Sequence, residues 1–169
     1  VLPSAGTRLL SDALTMLLSR HEHLNIVIFD GAFKPLMQAL RCGDVDVIVG
    51  TMSAPTPVRD MRCVPLADDS IRIVARAGHP LAALGRAVTG RELMQAAWVV
   101  PRLHTPSRMA LDMALAQLGA SVPAGAIECN SLPTVRALLS GSDRLSAVSS
   151  LQLDAENGQS PSLVALPID

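Results

Sequence analysis

The stretch ALRCGDVDVIVG, residues 39–50, decides the fold. Its first part ends a helix. Leu36, Met37 and Leu40 lie on one face of a helix over Lys34–Cys42, and Gly43 suits the left-handed position that closes it. Its second part, Val45–Gly50, is a short β-branched run of strand length. The stretch ALLSGSDRLSAVSS, residues 137–150, repeats the arrangement: a helix over Leu132–Leu139, a closing Gly141 and a strand over Leu145–Val148.

Reading outward from these two segments doubles the chain. The first half opens with Val1-Leu2-Pro3-Ser4. A helix over Arg8–Arg20 follows, with Leu9, Leu10, Ala13, Leu14, Leu17 and Leu18 in a 3.6 period, then a strand over Leu24–Phe29 and a turn at Asp30-Gly31. The second half opens with a strand over Ala97–Val100, ended by Pro101. It continues with a helix over Ser107–Leu118 stopped by Gly119, and a strand over Ala126–Cys129. Each half reads β-α-β-α-β, which implies a parallel sheet with right-handed crossovers. Between the halves lie a loop at Ser53–Pro57 and strands over Arg62–Leu66 and Ser70–Ala75. An irregular stretch, Gly78–Gly90, and a short helix at Arg91–Met94 with Thr89 as its cap complete the linker; a last strand covers Leu163–Leu166. The fold class is therefore α/β, with two Rossmann-like lobes joined by a hinge. Where the second half has a full strand before its proline, the first has only Val1-Leu2, so the sequence is expected to start inside a longer protein.

Composition narrows the function. The 169 residues suit one domain or two small lobes. Hydrophobic residues make up 49%, aromatics 2% (Phe29, Phe33 and Trp98, with no Tyr), and the net charge is −1. Without a basic excess or a stacking set of aromatics, these residues are not expected to bind nucleic acid. No run of apolar residues is long enough for a transmembrane helix, and the first residues are not expected to be a signal peptide. Cys42, Cys63 and Cys129 are odd in number and carry no CxxC, which reads as three reduced, buried or half-buried thiols.

Open parallel sheets bind ligands beyond the carboxyl ends of their strands. Here those ends are small or hydroxylated: Ser4 and Thr7, Asp30-Gly31-Ala32, Thr51, Arg102 to Ser107, Asn130-Ser131 and Ser149-Ser150. Several open helices, whose free N–H groups favour an electron-rich oxygen. Each could equally serve only as a helix cap. Asp30 suits either turn chemistry or bonds to sugar hydroxyls. There is no GxSxG, P-loop, GxGxxG or HExxH, so no enzyme activity, cofactor or metal is expected. His21 and His23 read as a solvated turn, His79 and His104 as loop residues without a catalytic partner, and Cys129 as a small buried thiol rather than a nucleophile.

Four segments together resemble the effector-binding domain of LysR-type transcriptional regulators. They are VLPSAGTRLLSDAL from Val1, DGAFKPLMQALRCGDVDVIVG from Asp30, HPLA at His79–Ala82, and CNSLPTVRALLSGSDRLSAVSS from Cys129. The LxxGxxDxxVG pattern at Leu40–Gly50 and the HPLA tetrapeptide are the most specific pieces. The opening LPSAGTRLL and Gly31 are similar to the galactose-binding-protein-regulator and aromatic-catabolism subgroup. The resemblance implies a type 2 periplasmic-binding-protein-like fold and a winged helix-turn-helix absent from this chain. It divides the chain into lobe I over 1–68, lobe II over 69–149 and a return to lobe I over 150–169, with crossovers near Ala67–Ser70 and Ser149–Leu151. It further implies a cytoplasmic homodimer or tetramer, built by laying the helix Thr7–Leu18 of one copy against Ser107–Leu118 of another, and no membrane partner. A small polar inducer, an organic acid or a sugar-like molecule, would sit between the lobes. Ser4, Thr7, Gly31, Ala32, Thr51, Arg102, Thr105, Asn130 and Ser131 would contact it. His23 departs from the family's usual Pro, Ala32-Phe33 from its usual hydroxyl, and the chain ends before the family's last strand and helix. The alternatives are a periplasmic solute-binding protein, which an upstream signal peptide would reveal, and a small α/β enzyme, which would need an acid–base pair or nucleophile.

Overall fold

The protein is described by a computed structural model covering residues 1–2, 8–51, 60–156 and 162–168. It divides into two compact units, Val1–Ala54 and Pro55–Asp169.

The second unit is built on a five-stranded mixed sheet. Its strands are β1 (Ile71–Arg76), β2 (Ala97–Val100), β3 (Ile127–Glu128), β4 (Arg144–Ser149) and β5 (Leu163–Ala165), in the order β3-β2-β4-β1-β5. β2 runs parallel to both β3 and β4, with Trp98 opposite Leu145 and Val100 opposite Glu128, while β1 is antiparallel to β4 and β5. Helices α3 (Gly90–Gln95), α4 (Pro106–Gln117), α5 (Leu132–Ser140) and α6 (Ser150–Glu156) cover it. The central strands β2 and β4 are buried on both faces. Ile73, Trp98, Val100 and Leu145 point to one face and pack with Leu93 of α3 and Leu111 and Leu115 of α4. Val74, Val99 and Val148 point to the other and pack with Val135 and Leu139 of α5 and Leu153 of α6. The indole N–H of buried Trp98 donates to the Leu93 carbonyl at 2.8 Å, so the largest core side chain leaves no donor unpaired.

His79, 4% exposed, explains the HPLA tetrapeptide. It caps the short 3₁₀ turn Pro80–Ala83: its Nδ1 accepts from the Leu81 N–H at 3.0 Å. Nδ1 is therefore the bare nitrogen, and Nε2–H faces the Asp143 carbonyl at 3.2 Å.

The first unit holds α1 (Arg8–Arg20) and α2 (Phe33–Cys42). Gly43 ends α2 with φ 80°, its N–H and that of Asp44 returning to Leu40 and Ala39. Val1 and Leu2 lie between two later segments. The Val1 amino group donates to the Phe29 carbonyl, Gly31 N–H donates to the Val1 carbonyl at 3.2 Å, and Leu2 N–H donates to the Val49 carbonyl at 3.0 Å. That is a parallel pattern with the first segment central, the same order as β3-β2-β4 in the second unit. Gly50 is required here by close approach: a Cβ would stand 2.1 Å from Leu2 Cδ1.

Several expectations are corrected. Leu24–Phe29 and Val45–Gly50 are not regular strands, since the bonds through Val1 and Leu2 are too few to make a ladder. Arg62–Leu66 is also irregular and exposed; Pro65 has no N–H to donate. Where the expected return to lobe I was placed, the described residues belong to the second compact unit. Ser150–Glu156 form α6, and β5 lies along β1, with Val88 N–H bonded to the Pro167 carbonyl at 2.8 Å. Cys42 and Cys63 are exposed rather than buried, Cys129 is half-buried, and all three are free thiols. The loop at 53–57 lies outside the described residues.

Candidate functional site

Two of the carboxyl ends singled out by the sequence meet in the second unit. β2 runs into Pro101–Thr105 and β3 into Cys129–Ser131, and because the strands are parallel neighbours both loops leave the sheet on the same edge. The Arg102 backbone N–H donates to Asn130 Oδ1 at 2.9 Å, tying one loop to the other. Residues 102–105 form a tight turn in which Thr105 N–H and Oγ1 both reach the Arg102 carbonyl, at 3.3 and 2.7 Å. His104 in this turn has φ 63°, the only positive φ of a non-glycine residue among those described. That left-handed conformation costs a histidine about 1–2 kcal/mol, and the two Thr105 bonds hold it in place.

Thr105 is the N-cap of α4: its Oγ1 accepts from Arg108 N–H at 3.3 Å while donating to Arg102. Ser131 precedes α5 but makes no side-chain cap; its hydroxyl oxygen receives Thr134 Oγ1–H at 3.0 Å. Arg108 sits behind the lip. It is held by Asp112 at 2.9 Å, by Glu128 at 3.5 Å and by the Pro101 carbonyl at 3.3 Å. Arg102 is exposed, and no bond or ion pair engages its guanidinium among the described residues.

The remaining expected contacts lie in the first unit or outside the described residues. Gly31 lies in the hydrogen-bonded segment beside Val1, where an added Cβ would come within 3.2 Å of Leu36. Ala32 is the extended N-cap of α2 and has no side chain with which to cap it. Thr51 follows Gly50 and is half-buried. Ser4 and Thr7 lie outside the described residues.

A residue the sequence reading missed is Asp69. A single carboxylate oxygen accepts from the hydroxyls of Ser149 and Ser150, at 2.8 and 2.9 Å, and from the N–H groups of Ser70 and Leu151, at 2.9 and 3.3 Å. Together with Ser149 and Gln152, which form a reciprocal capping box, it fixes the start of α6 against the entry to β1. Among the described residues no helix is long and apolar enough to cross a membrane. Nor do three or more His, Cys, Asp or Glu side chains gather where a metal could be held.

A family model of the LysR substrate binding domain matches residues 1–169. The chain belongs to the LysR substrate-binding domain family. It is 36% identical over 155 residues to the HTH-type transcriptional regulator GalR of Pseudomonas putida, covering 92% of this chain and 38% of that protein. It is 32% identical over 87 residues to the HTH-type transcriptional regulator PcaQ of Agrobacterium fabrum, covering 52% of this chain and 28% of that one. The chain thus spans well under half the length of these curated relatives. Among solved structures, the CcmR regulatory domain of Synechocystis PCC6803 in complex with 2-PG superposes with TM-score 0.76 at 17% identity, covering 99% of this chain and 78% of that one. The effector binding domain of QuiR in complex with shikimate gives 0.71 at 15% identity over the same shares. The fold is the type 2 periplasmic-binding-protein-like fold of LysR regulatory domains. The LysR signatures in this chain are scaffold residues: Gly43 and Gly50 shape the first unit, and His79 is a buried cap in the second.

Proposed function

We propose that this LysR domain senses a small polar effector, an organic acid or a sugar-like molecule, and relays it to a DNA-contacting part of the regulator. The observation that carries this reading is the Arg102–Asn130 bond, which joins two strand-end loops into one polar lip. Arg102, Asn130 and Ser131 are the proposed contacts of this unit, with Thr105 shaping the loop. Gly31, Ala32, Thr51, Ser4 and Thr7 are proposed contacts of the first unit. Solved relatives hold 2-PG and shikimate, which are small acids, in support of an effector of that size. The match to transcriptional regulators favours binding over turnover as the role and the cytoplasm as the setting.

Binding shifts the regulator's conformational equilibrium only by the difference in affinity between its states. Self-association fits the surface. α1 exposes Leu9, Met16, Leu17 and Leu18, and α4 exposes Met109 and Met113, so α1 of one copy can cover α4 of another in an antiparallel dimer, which can pair into a tetramer. A periplasmic solute-binding protein shares the fold, but the match to DNA-linked regulators favours the sensor.

The test is DNase footprinting of the full-length regulator on the DNA upstream of its own gene, with small acids and sugars added singly. A footprint whose length or position changes with one compound is expected. A protein that fails to bind that DNA, or binds it identically with every compound, refutes the reading.

A further inference from the structure

We infer that α6 is a conditional helix: it is ordered only while Asp69 is docked on its first turn, so the chain that arrives from the first unit controls a helix of the second. This goes beyond the effector-sensing reading and does not depend on it. A helix of seven residues, Ser150–Glu156, is well below the length that holds itself together in water. It has no acidic residue in its first turn to offset the helix dipole. The negative charge there is supplied by Asp69, which precedes β1.

The backbone donors that open the helix are met largely from the same side. Ser150 N–H donates to the Ser70 carbonyl at 2.8 Å and Leu151 N–H to Asp69 Oδ1 at 3.3 Å, whereas Gln152 N–H is met from the helix's own flank, by Ser149 Oγ at 3.3 Å. Asp69 also takes the Ser149 hydroxyl proton, so the residue that caps Gln152 is itself oriented by Asp69. Upstream, residues 62–68 are irregular and exposed. A displacement of that segment that withdraws the carboxylate strips the turn of its charge and frees the Ser149, Ser150 and Leu151 donors at once. The sheet does not share this dependence: β1, β2 and β4 are held by their own ladders, and α5 by Val135 and Leu139. α6 adds Leu153 to the same apolar cluster, so its release opens part of that face to water while the sheet stays paired. Order and disorder of one short segment is a recurrent way for a change at one place to reach another.

The experiment is amide hydrogen exchange followed by NMR on the full chain. In Asp69→Ala the amides of α6 are expected to exchange at least ~10-fold faster, while those of β2 and α5 keep their native rates. Coupling between two sites is reciprocal. Asp154→Pro, which breaks α6 from within, should therefore speed exchange of the Ser70 N–H at least ~3-fold, since that group is bonded to both Asp69 and Ser150, with β2 and α5 again unchanged. The inference is overturned if Asp69→Ala leaves α6 as protected as in the native chain, which would make the helix self-supporting. It is equally overturned if β2 and α5 lose protection together with α6 in Asp69→Ala, which would make Asp69 a prop of the whole unit, or if Asp154→Pro leaves the Ser70 N–H at its native rate.

Discussion

Replacing Thr105 by Ala separates a structural role from a ligand contact. In the native turn the hydroxyl donates to the Arg102 carbonyl at 2.7 Å and accepts from the Arg108 N–H at 3.3 Å. Loss of an N-cap hydroxyl costs about 1 kcal/mol, and the bond that braces the turn adds about 0.5–1 kcal/mol. The expected destabilisation is therefore about 1.5–2 kcal/mol, a fall in melting temperature of roughly 4–10 °C for a unit of this size. Thr105→Ser retains both bonds and should stay within about 0.5 kcal/mol of the native protein. Urea unfolding followed by far-UV circular dichroism, with the slope checked for constancy, measures both variants. If Thr105→Ala proves as stable as the native chain, or Thr105→Ser as weak as Thr105→Ala, the hydroxyl is not the brace of this loop and the residue returns to the list of direct contacts.

Gly50→Ala places a methyl 2.1 Å from Leu2 Cδ1 and 2.8 Å from Leu2 Cβ, so buried Leu2 must move; chemical denaturation should show a loss of about 1–3 kcal/mol, and unchanged stability would mean that Leu2 does not pack there. His79→Ala removes the cap on Leu81 and the donor to the Asp143 carbonyl, for about 2–3 kcal/mol by thermal unfolding. Asp143→Ala removes only the exposed ion pair with Arg76 and should cost under about 1 kcal/mol, so equal losses at the two positions would contradict the backbone assignment. The Glu92 carboxyl is held down at about 2, from an ordinary 4.5, chiefly by Arg86 and then by Thr89. A lowered carboxyl stabilises the fold above pH 4.5 and loses that contribution as pH falls toward 2. Melting curves of Glu92→Gln should therefore fall less steeply with acid across that window, and a slope identical to the native one would refute the assignment.

The second unit was more legible in the sequence than the first. The β2-α4-β3-α5-β4 order follows from apolar runs, Pro101, Gly119 and Gly141, because β2 and β4 are covered on both faces and pair with each other. Leu24–Phe29 has the same composition but no regular ladder, and composition cannot report how many backbone bonds a segment finds. The place of β5 on the far edge was illegible for a related reason: its partner β1 is distant in sequence, and periodicity does not specify edges. The helix α6 carried a readable signal that went unused, Ser149 followed three residues later by Gln152. The loops that carry Arg102, Asn130 and Ser131 could be placed from strand ends alone. The assignment of Thr105 to bracing and of Asn130 to bridging could not, since both depend on which atom of each side chain is already bonded.

Gly43, Gly50 and His79 are held by left-handed geometry, by a close Leu2 and by burial, so substitutions there act on the scaffold. Arg102 and Ser131 have exposed side chains free of such constraints, and the backbone around them is braced by Thr105 and Arg108 instead. Ligand chemistry can therefore change at the lip while the fold stays fixed. Asn130 is part of that bracing, since its Oδ1 takes the Arg102 N–H and ties the two loops together. Matching the scaffold motifs of two such domains therefore does not establish that they answer to the same effector; the exposed side chains of the strand-end loops have to be compared as well.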